Sequence, residues 1–331
     1  MSKVYAIPAT GAGHIELMGR VKKGAGSTLD IPEGLVNIGG NGKGFILQAQ
    51  NGFDPLAHDD GSVVSLEVGD DIYVYAVWPD DDGPICQLKT SRNTTWPGGY
   101  NADNSRRLAG FHYGRYRLLE HRYQAGEAAQ EGIIPNSVWD LLHRPKCEPT
   151  GMVEIIEGSV WMDIYLNSVD GASWPETKGE SKINAQPVNC NDVARWDFFR
   201  LARNAGKRLP TLGEMYIAAY GVPQGATGAG GRVNTGVHTD YGFDCVSCLG
   251  LDQPSGNLWQ FLDDGADDQG SYQGANQGQD SAHNHGQARM RHSIFGGYWT
   301  NSSEAGARCA TNSLPWNQGG GYGFRGACDS L

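Results

Sequence analysis

Short runs of β-branched and aromatic residues, broken by polar turns, fill the first third of the chain, and no 3.6-residue period takes hold there. "SVVSLEVGDDIYVYAVW" (Ser62–Trp78) joins such residues around the turn-like "VGDD" and predicts strands. "YAIPA", "HIELMGRV" and "GFILQAQ" are shorter strand candidates between glycine-rich turns. The turn formers "NTTWPGGYNADNS" (Asn93–Ser105) precede a further strand, "RRLAGFHYGRY". Several short strands without a helical stretch predict an antiparallel β-sandwich over residues 1–126.

Residues 127–150 read as a connector. Within it "NSVWDLLHRP" (Asn136–Pro145) opens on a capping residue and stops at a proline, which predicts a short helix. "GMVEIIEGSVWMDIYL" (Gly151–Leu166) is strand-like again and opens a second unit over residues 151–331. Two helices are predicted only there. "NDVARWDFFRLARNAGK" places apolar residues at Val193, Trp196, Phe199 and Leu201 and ends at Gly206. "TLGEMYIAAYG" starts at Thr211, carries Glu214 three residues on as a capping box, and ends at Gly221. The polar stretch Asp263–Gln287 predicts a surface excursion. The chain then closes on "GGYWTNSSEAGARCATNSLPWNQGGGYGFRGACDSL". There the aromatic anchors Trp299, Trp316 and Phe324 are separated by small and polar residues.

The whole chain, 331 residues, is long enough for two such units. Its 48 glycines are about twice the usual share, which fits a turn-rich, mostly β, α+β protein and not a helical bundle. A net charge of −11 excludes a general nucleic-acid binder, whose phosphate contacts need clustered Lys and Arg, and disfavours anionic membranes. No apolar run approaches ~20 residues, so no membrane insertion is expected. The first residues lack a basic region followed by an apolar run and a cleavage site, so synthesis and folding in a cytoplasm are expected. Seven cysteines in such a chain read mainly as buried thiols, and leave room for one disulfide formed late.

The chemistry-bearing clusters are sparse. Cys245 and Cys248 form a CxxC, but zinc needs a second ligand pair and Cys309 and Cys328 are nineteen residues apart. His283 and His285 sit in the polar stretch and read as solvated. "GATGAGG" (Gly225–Gly231) lacks the strand-and-helix context of a phosphate cradle. The acidic pairs Asp80–Asp82, Asp263–Asp264 and Asp267–Asp268 lack EF-hand spacing. No cofactor, no catalytic residue and no metal site are therefore expected, and no spacing signals a structural calcium ion.

A combination of motifs is more specific. "GKRLPTLGEMYIAAYG" (Gly206–Gly221), "PSGNLWQFLDD" (Pro254–Asp264), "FGGYW" (Phe295–Trp299) and "GFRGACD" (Gly323–Asp329) follow one another. In order and spacing they resemble the C-type-lectin-like fold of the formylglycine-generating sulfatase-modifying family. With "RRLAGFHYG", "SVWDLLHRP", "GMVEIIEGSVWMDIYL" and "RGACDSL" added, residues from about 105 onward resemble the phage major tropism determinant family. That resemblance implies a trimeric tail-fibre receptor-binding protein on the virion. Its implied partners are a host cell-surface receptor (protein or glycan), other tail proteins and copies of itself. The family's additional N-terminal β-prism has no counterpart here, so attachment to the virion is expected to differ.

The resemblance also makes residues 296–331 a variable region, rewritten by a retroelement at adenine-rich codons. Carried over by position, the variable residues are Tyr298, Thr300, Ser302, Glu304, Thr311, Ser313, Leu314, Asn317, Gly319, Gly321 and Tyr322. All but Glu304 are reachable from an Asn codon by adenine changes. Trp299, Gly306, Arg308, Phe324 and Arg325 form the fixed frame, with Trp259 and Trp299 expected as core anchors. A surface of Tyr, Ser, Asn and Gly resembles antibody paratopes, which combine adaptable hydrogen bonding with low-entropy aromatic area. Two alternatives use related scaffolds. A formylglycine-generating enzyme needs paired cysteines just after the Gly-Gly-aromatic motif, and "YWTNSSEAG" has none. A ligand-binding protein displayed on a bacterium calls for a leader segment.

Overall fold

The computed structural model describes residues 10–81, 83–266, 291–313 and 319–331. The strand candidate "YAIPA", most of the polar stretch and His283 and His285 lie outside them. The fold is α+β and mostly β: an N-terminal β-sandwich followed by a C-type-lectin-like unit. The sandwich is built from β1 (Ile15–Leu17), β2 (Lys22–Lys23), β3 (Leu29–Ile31), β4 (Gly34–Asn37), β5 (Gly44–Leu47) and β6 (Gln50–Phe53), then β7 (Asp70–Val77), β8 (Gln87–Ser91), β9 (Ser105–Tyr116), β10 (Gln130–Ile133) and β11 (Trp139–Asp140). They form three antiparallel sheets, ordered β1-β4-β5, β2-β3-β6 and β10-β9-β7-β8, with β11 also on β9.

Strand β7 shows why this stretch is so apolar. Alternate side chains of a strand point to opposite faces. Ile72, Val74 and Ala76 face the sandwich core with Leu29, Phe45, Leu108 and Phe111. Tyr73, Tyr75 and Val77 face a second core with Trp139 of β11 and with Met152, Trp161 and Cys328 of the second unit. One strand is thus buried on both sides and joins the two units.

The segment expected as a connector is instead partly sheet, because β10 and β11 hydrogen-bond to β9. The helix expected at Asn136–Pro145 is replaced by a single 3-10 turn, Pro135–Ser137. Long-range packing overrides the local signal. Trp139 lies flat on the strand opposite, where a Cβ on Gly110 would come within 2.7 Å of its ring. The buried Asp140 carboxylate then accepts from the amides of Leu142 (2.9 Å), His143 (3.0 Å) and Val21 (3.0 Å).

The second unit contains β12 (Met152–Ile156), β13 (Val160–Asp163), β14 (Asn167–Val169), β15 (Gly179–Ser181), the helices α1 (Arg195–Asn204) and α2 (Leu212–Ala218), β16 (Trp259–Ala266), β17 (Arg291–Phe295), β18 (Ala310–Ser313), β19 (Tyr322–Gly323) and β20 (Ala327–Asp329). The last strand returns to the first hairpin, giving the sheet β12-β13-β20. A second sheet, ordered β18-β17-β16-β19, is antiparallel except for the parallel pair β16–β19. Helix α2 starts as its capping box dictates. The Glu214 amide donates to Thr211 Oγ1 at 3.3 Å, and the Thr211 amide donates to Glu214 Oε2 at 2.7 Å. Helix α1 forms with a different buried face from the expected one. Phe198, Leu201 and Ala202 are buried while Trp196 is 57% exposed.

Two glycines test this packing. Gly110→Ala drives a Cβ into the Trp139 ring and the Ile72 carbonyl and should cost about 1–3 kcal/mol. Gly213→Ala, in α2 with open space around it, should be neutral or stabilising by up to ~1 kcal/mol. Thermal melts of the two variants check the pair.

Candidate functional site

The C-terminal region is organised by one buried cation. Arg325 is 0% exposed. Its Nε donates to Gln260 Oε1 (3.0 Å), Nη1 to the carbonyls of Asp163 (3.0 Å) and Ile164, and Nη2 to the carbonyls of Asp252 (2.7 Å) and Gln253 (3.1 Å). These five bonds tie β13, the loop before β16, and β16 itself to the C-terminal segment. Burial pulls the guanidinium down to about 10, so it is still charged at neutral pH. The neighbouring Asp163 carboxylate, also buried, accepts from Lys207 Nζ (2.5 Å), Asn167 Nδ2 (2.7 Å) and the Gly326 amide (2.9 Å).

On this frame sits the long connection between β17 and β18. Gly296, at φ +96, makes a turn that other residues resist, and a Cβ there would come within 2.7 Å of the Pro254 carbonyl. Its amide donates to the Cys309 carbonyl at 2.8 Å and closes the loop. Inside it, the Tyr298 amide donates to Asn301 Oδ1 (2.9 Å) and the Asn301 amide to the Tyr298 carbonyl (2.9 Å). The Gly225 amide reaches the Ala305 carbonyl at 2.9 Å, and Gln224 Nε2 reaches the Ser303 carbonyl. Backbone bonds thus hold the loop from within and from the side. The segment 319–322 packs beside it: a Cβ on Gly321 would lie 2.6 Å from the Tyr298 ring. Asn189 Nδ2 holds the Gly320 carbonyl at 2.8 Å, and the Trp259 amide holds that of Gly321 at 2.9 Å.

This arrangement sorts the residues singled out in the sequence. Thr300, Ser302 and Glu304 are exposed on the loop, and Thr311 is exposed on the edge strand β18. Tyr298, Gly319 and Gly321 are half-buried around the Tyr298–Gly321 contact. Tyr322 departs from the expected free display. It is half-buried, with its ring 5.3 Å from that of Phe261. Ser313 is a correction: it is 3% exposed at the end of β18, paired with His292 of β17, although Thr311 on the same face of that strand is exposed. The expected core anchors Trp299 and Trp259 are also corrected. Trp299 is only half-buried, edge-on to Tyr298 at 5.0 Å, and Trp259 only partly covers the core of Phe198, Phe261 and Phe324. Phe324 and Arg325 are buried, whereas Arg308 is exposed. Leu314, Asn317 and Trp316 lie outside the described residues. Asn189 and Gln224, which hold the displayed backbone, carried no sequence signal, since their partners lie 131 and 79 residues away.

The exposed groups on the loop and β18 are hydroxyls, the Glu304 carboxylate, the Arg308 guanidinium and the Asn312 amide, beside the half-buried Tyr298 ring. They suit hydrogen bonding and stacking. Burial raises the Cys309 thiol, and Glu304 reinforces this, so Cys309 is a poor nucleophile. Among the described residues no three His, Cys, Asp or Glu side chains converge as a metal site. The thiols of Cys245 and Cys248 point to different carbonyls, those of Ser255 (3.4 Å) and Leu118 (3.8 Å).

Below the frame, His238 lies 3.1 Å from Asp252 and 3.4 Å from Asp244. Burial pushes its imidazole down, but the two carboxylates outweigh this and hold it at about 9. A raised folded value means stability fully present below the unfolded value, about 6.5, and lost as pH rises through about 9. Wild type should therefore lose roughly 2–3 kcal/mol relative to His238→Gln between pH 6.5 and 9.5, read from denaturant midpoints. The two frame arginines should also separate. Arg325→Lys, which cannot span the five acceptors, should cost about 3–5 kcal/mol, and Arg308→Ala should stay within ~0.5 kcal/mol in the same assay.

Comparison with known proteins agrees with this architecture. The family model for the Mtd second domain matches residues 20–140, the span from β2 to β11. Over 288 residues the chain is 30% identical to the tail fiber receptor-binding protein of Bordetella phage BPP-1, covering 78% of this chain and 71% of that protein. Among solved structures, the P3c variant of the major tropism determinant matches with a TM-score of 0.72 at 25% identity, over 96% of this chain and 86% of that one. The M1 variant matches with a TM-score of 0.69 at 25% identity, over 94% and 83%. The fold agrees along nearly the whole length and the sequence over 78% of it, and the chain belongs to the major tropism determinant family.

Proposed function

We propose that this protein is a phage tail-fibre receptor-binding protein that determines host tropism through the surface formed by Tyr298, Thr300, Ser302, Glu304, Thr311, Gly319, Gly321 and Tyr322. The observation that carries the reading is the contrast within one loop. The backbone from Gly296 to Cys309 is held by its own hydrogen bonds and by Gln224 and Gly225, while Thr300, Ser302 and Glu304 project into solvent. Side chains free of packing duties can change without unfolding the domain, as diversification by a retroelement requires. The relative from Bordetella phage BPP-1 is itself a receptor-binding tail fiber protein. The exposed groups offer hydrogen bonds and aromatic area, which suit binding.

The protein acts on the virion as a homotrimer. Three linked copies of a modest site raise avidity through effective concentration. The ligand is a receptor on the host cell surface, reached by polar contacts around the Tyr298 edge, because aromatic residues dominate binding hot spots.

The test measures binding of labelled full-length protein to host cells together with its melting temperature. Thr300→Ala and Ser302→Ala should shift the melt by no more than ~0.5 kcal/mol equivalent. Their combination with Tyr298→Ala should weaken binding by at least about tenfold, the equivalent of ~1.4 kcal/mol. Tyr322→Ala should lower both binding and stability, since its ring covers Phe261. Unchanged binding by the triple variant at an unchanged melt defeats the reading.

A further inference from the structure

Two cysteines 181 residues apart in sequence meet at the junction of the two units. The chain entering the second unit runs antiparallel to the C-terminal end. The Lys146 amide donates to the Asp329 carbonyl at 3.0 Å and the Leu331 amide to the Arg144 carbonyl at 2.9 Å, flanking a Pro145–Ser330 bridge. A pair flanked in this way is of the non-hydrogen-bonded kind, in which side chains stand closest. The bridge is an isolated one, and just past it stand Cys147 and Cys328. There the Cys147 amide donates to Cys328 Sγ at 3.3 Å. That contact sets the two residues side by side, and a disulfide needs Cα atoms roughly 4.4–6.8 Å apart.

The surroundings favour reaction at one of the two sulfurs. The neighbouring Cys147 thiol and amide pull Cys328 below the usual thiol range, although burial works against them, while Cys328 and burial together raise Cys147. The Lys207 ammonium, paired with Asp163, lies near both and favours thiolate. The pair therefore offers an attacking thiolate and a resolving thiol. Neither belongs to the displayed surface, and both are buried, at 9% and 5% exposure.

We propose that Cys147 and Cys328 are an oxidisable pair that closes to a disulfide by exchange with a small-molecule disulfide, fastening the last strand to the junction of the two units. The Cys328 thiolate attacks one sulfur of the small disulfide, whose S–S bond breaks and releases one small thiolate. Cys147 loses its proton to solvent, and its sulfur attacks Cys328 Sγ in the mixed disulfide, expelling the second small thiolate. Two protein thiols are oxidised by two electrons, and one small disulfide is reduced to two thiols. The closed bond lies three residues after Arg325, so it secures the cation that holds the frame. This step does not depend on the receptor-binding reading.

The experiment uses the full chain, reduced, freed of reductant and incubated natively with oxidised glutathione at pH 8. Intact mass should fall by about 2 Da, with two of the seven thiols lost to alkylation. Non-reducing peptide mapping should recover a Cys147–Cys328 cross-link. The melting temperature should rise by roughly 5 °C or more and return on adding reductant. Cys147→Ala should instead accumulate a glutathione adduct on Cys328. Retention of all seven thiols, a lasting adduct on the wild-type protein, or a cross-link joining any other pair overturns the proposal, and the wild-type arms decide it if the variant does not fold.

Discussion

A single buried guanidinium sets the order of the C-terminal half. Arg325 spends its donors on four backbone carbonyls and one side-chain amide drawn from three separate stretches of chain. A charge without water is costly unless every donor is used. Only one arrangement of β13, the 252–253 loop and β16 supplies all the acceptors, so satisfying Arg325 selects that arrangement. The Asp163–Lys207 pair beside it extends the same logic to the Gly326 amide and the end of α1. This polar network specifies the lectin-like unit as much as its apolar core does.

The frame leaves a different kind of structure at its edge. From Gly296 to Cys309 and from Gly319 to Tyr322 the backbone is held by amide–carbonyl bonds and by Asn189 and Gln224. The side chains of Thr300, Ser302 and Glu304 contribute little to that order. Backbone bonds do not depend on side-chain identity, which frees the exposed side chains from the order of the loop. That freedom is graded. Tyr298 rests on Gly321, and Tyr322 leans on Phe261, so these two aromatics take part in the packing.

What could be read in the sequence follows the range of the forces involved. Thr211 and Glu214 announced α2 because a capping box acts over three residues. The apolar alternation of β7 was legible, although its burial between two cores was not, since the second core comes from Trp139, Trp161 and Cys328. The existence of α1 was legible, while its inward face depended on Phe261 and Phe324. The helix expected at Asn136–Pro145 failed because Trp139 packs on a strand thirty residues earlier. Ser313 was misplaced because its burial depends on its tertiary place opposite His292, and Trp299 because it packs edge-on to Tyr298 at the surface. Family resemblance directed attention to the C-terminal segment, and geometry decided which of its residues face solvent.

The most direct measurement randomises Thr300, Ser302, Glu304 and Thr311 together and records the melting temperature and host-cell binding of each purified variant. The account predicts melts clustered within a few degrees of the parent while binding varies over orders of magnitude. Melts scattered as widely as binding, with the two falling together, would contradict it.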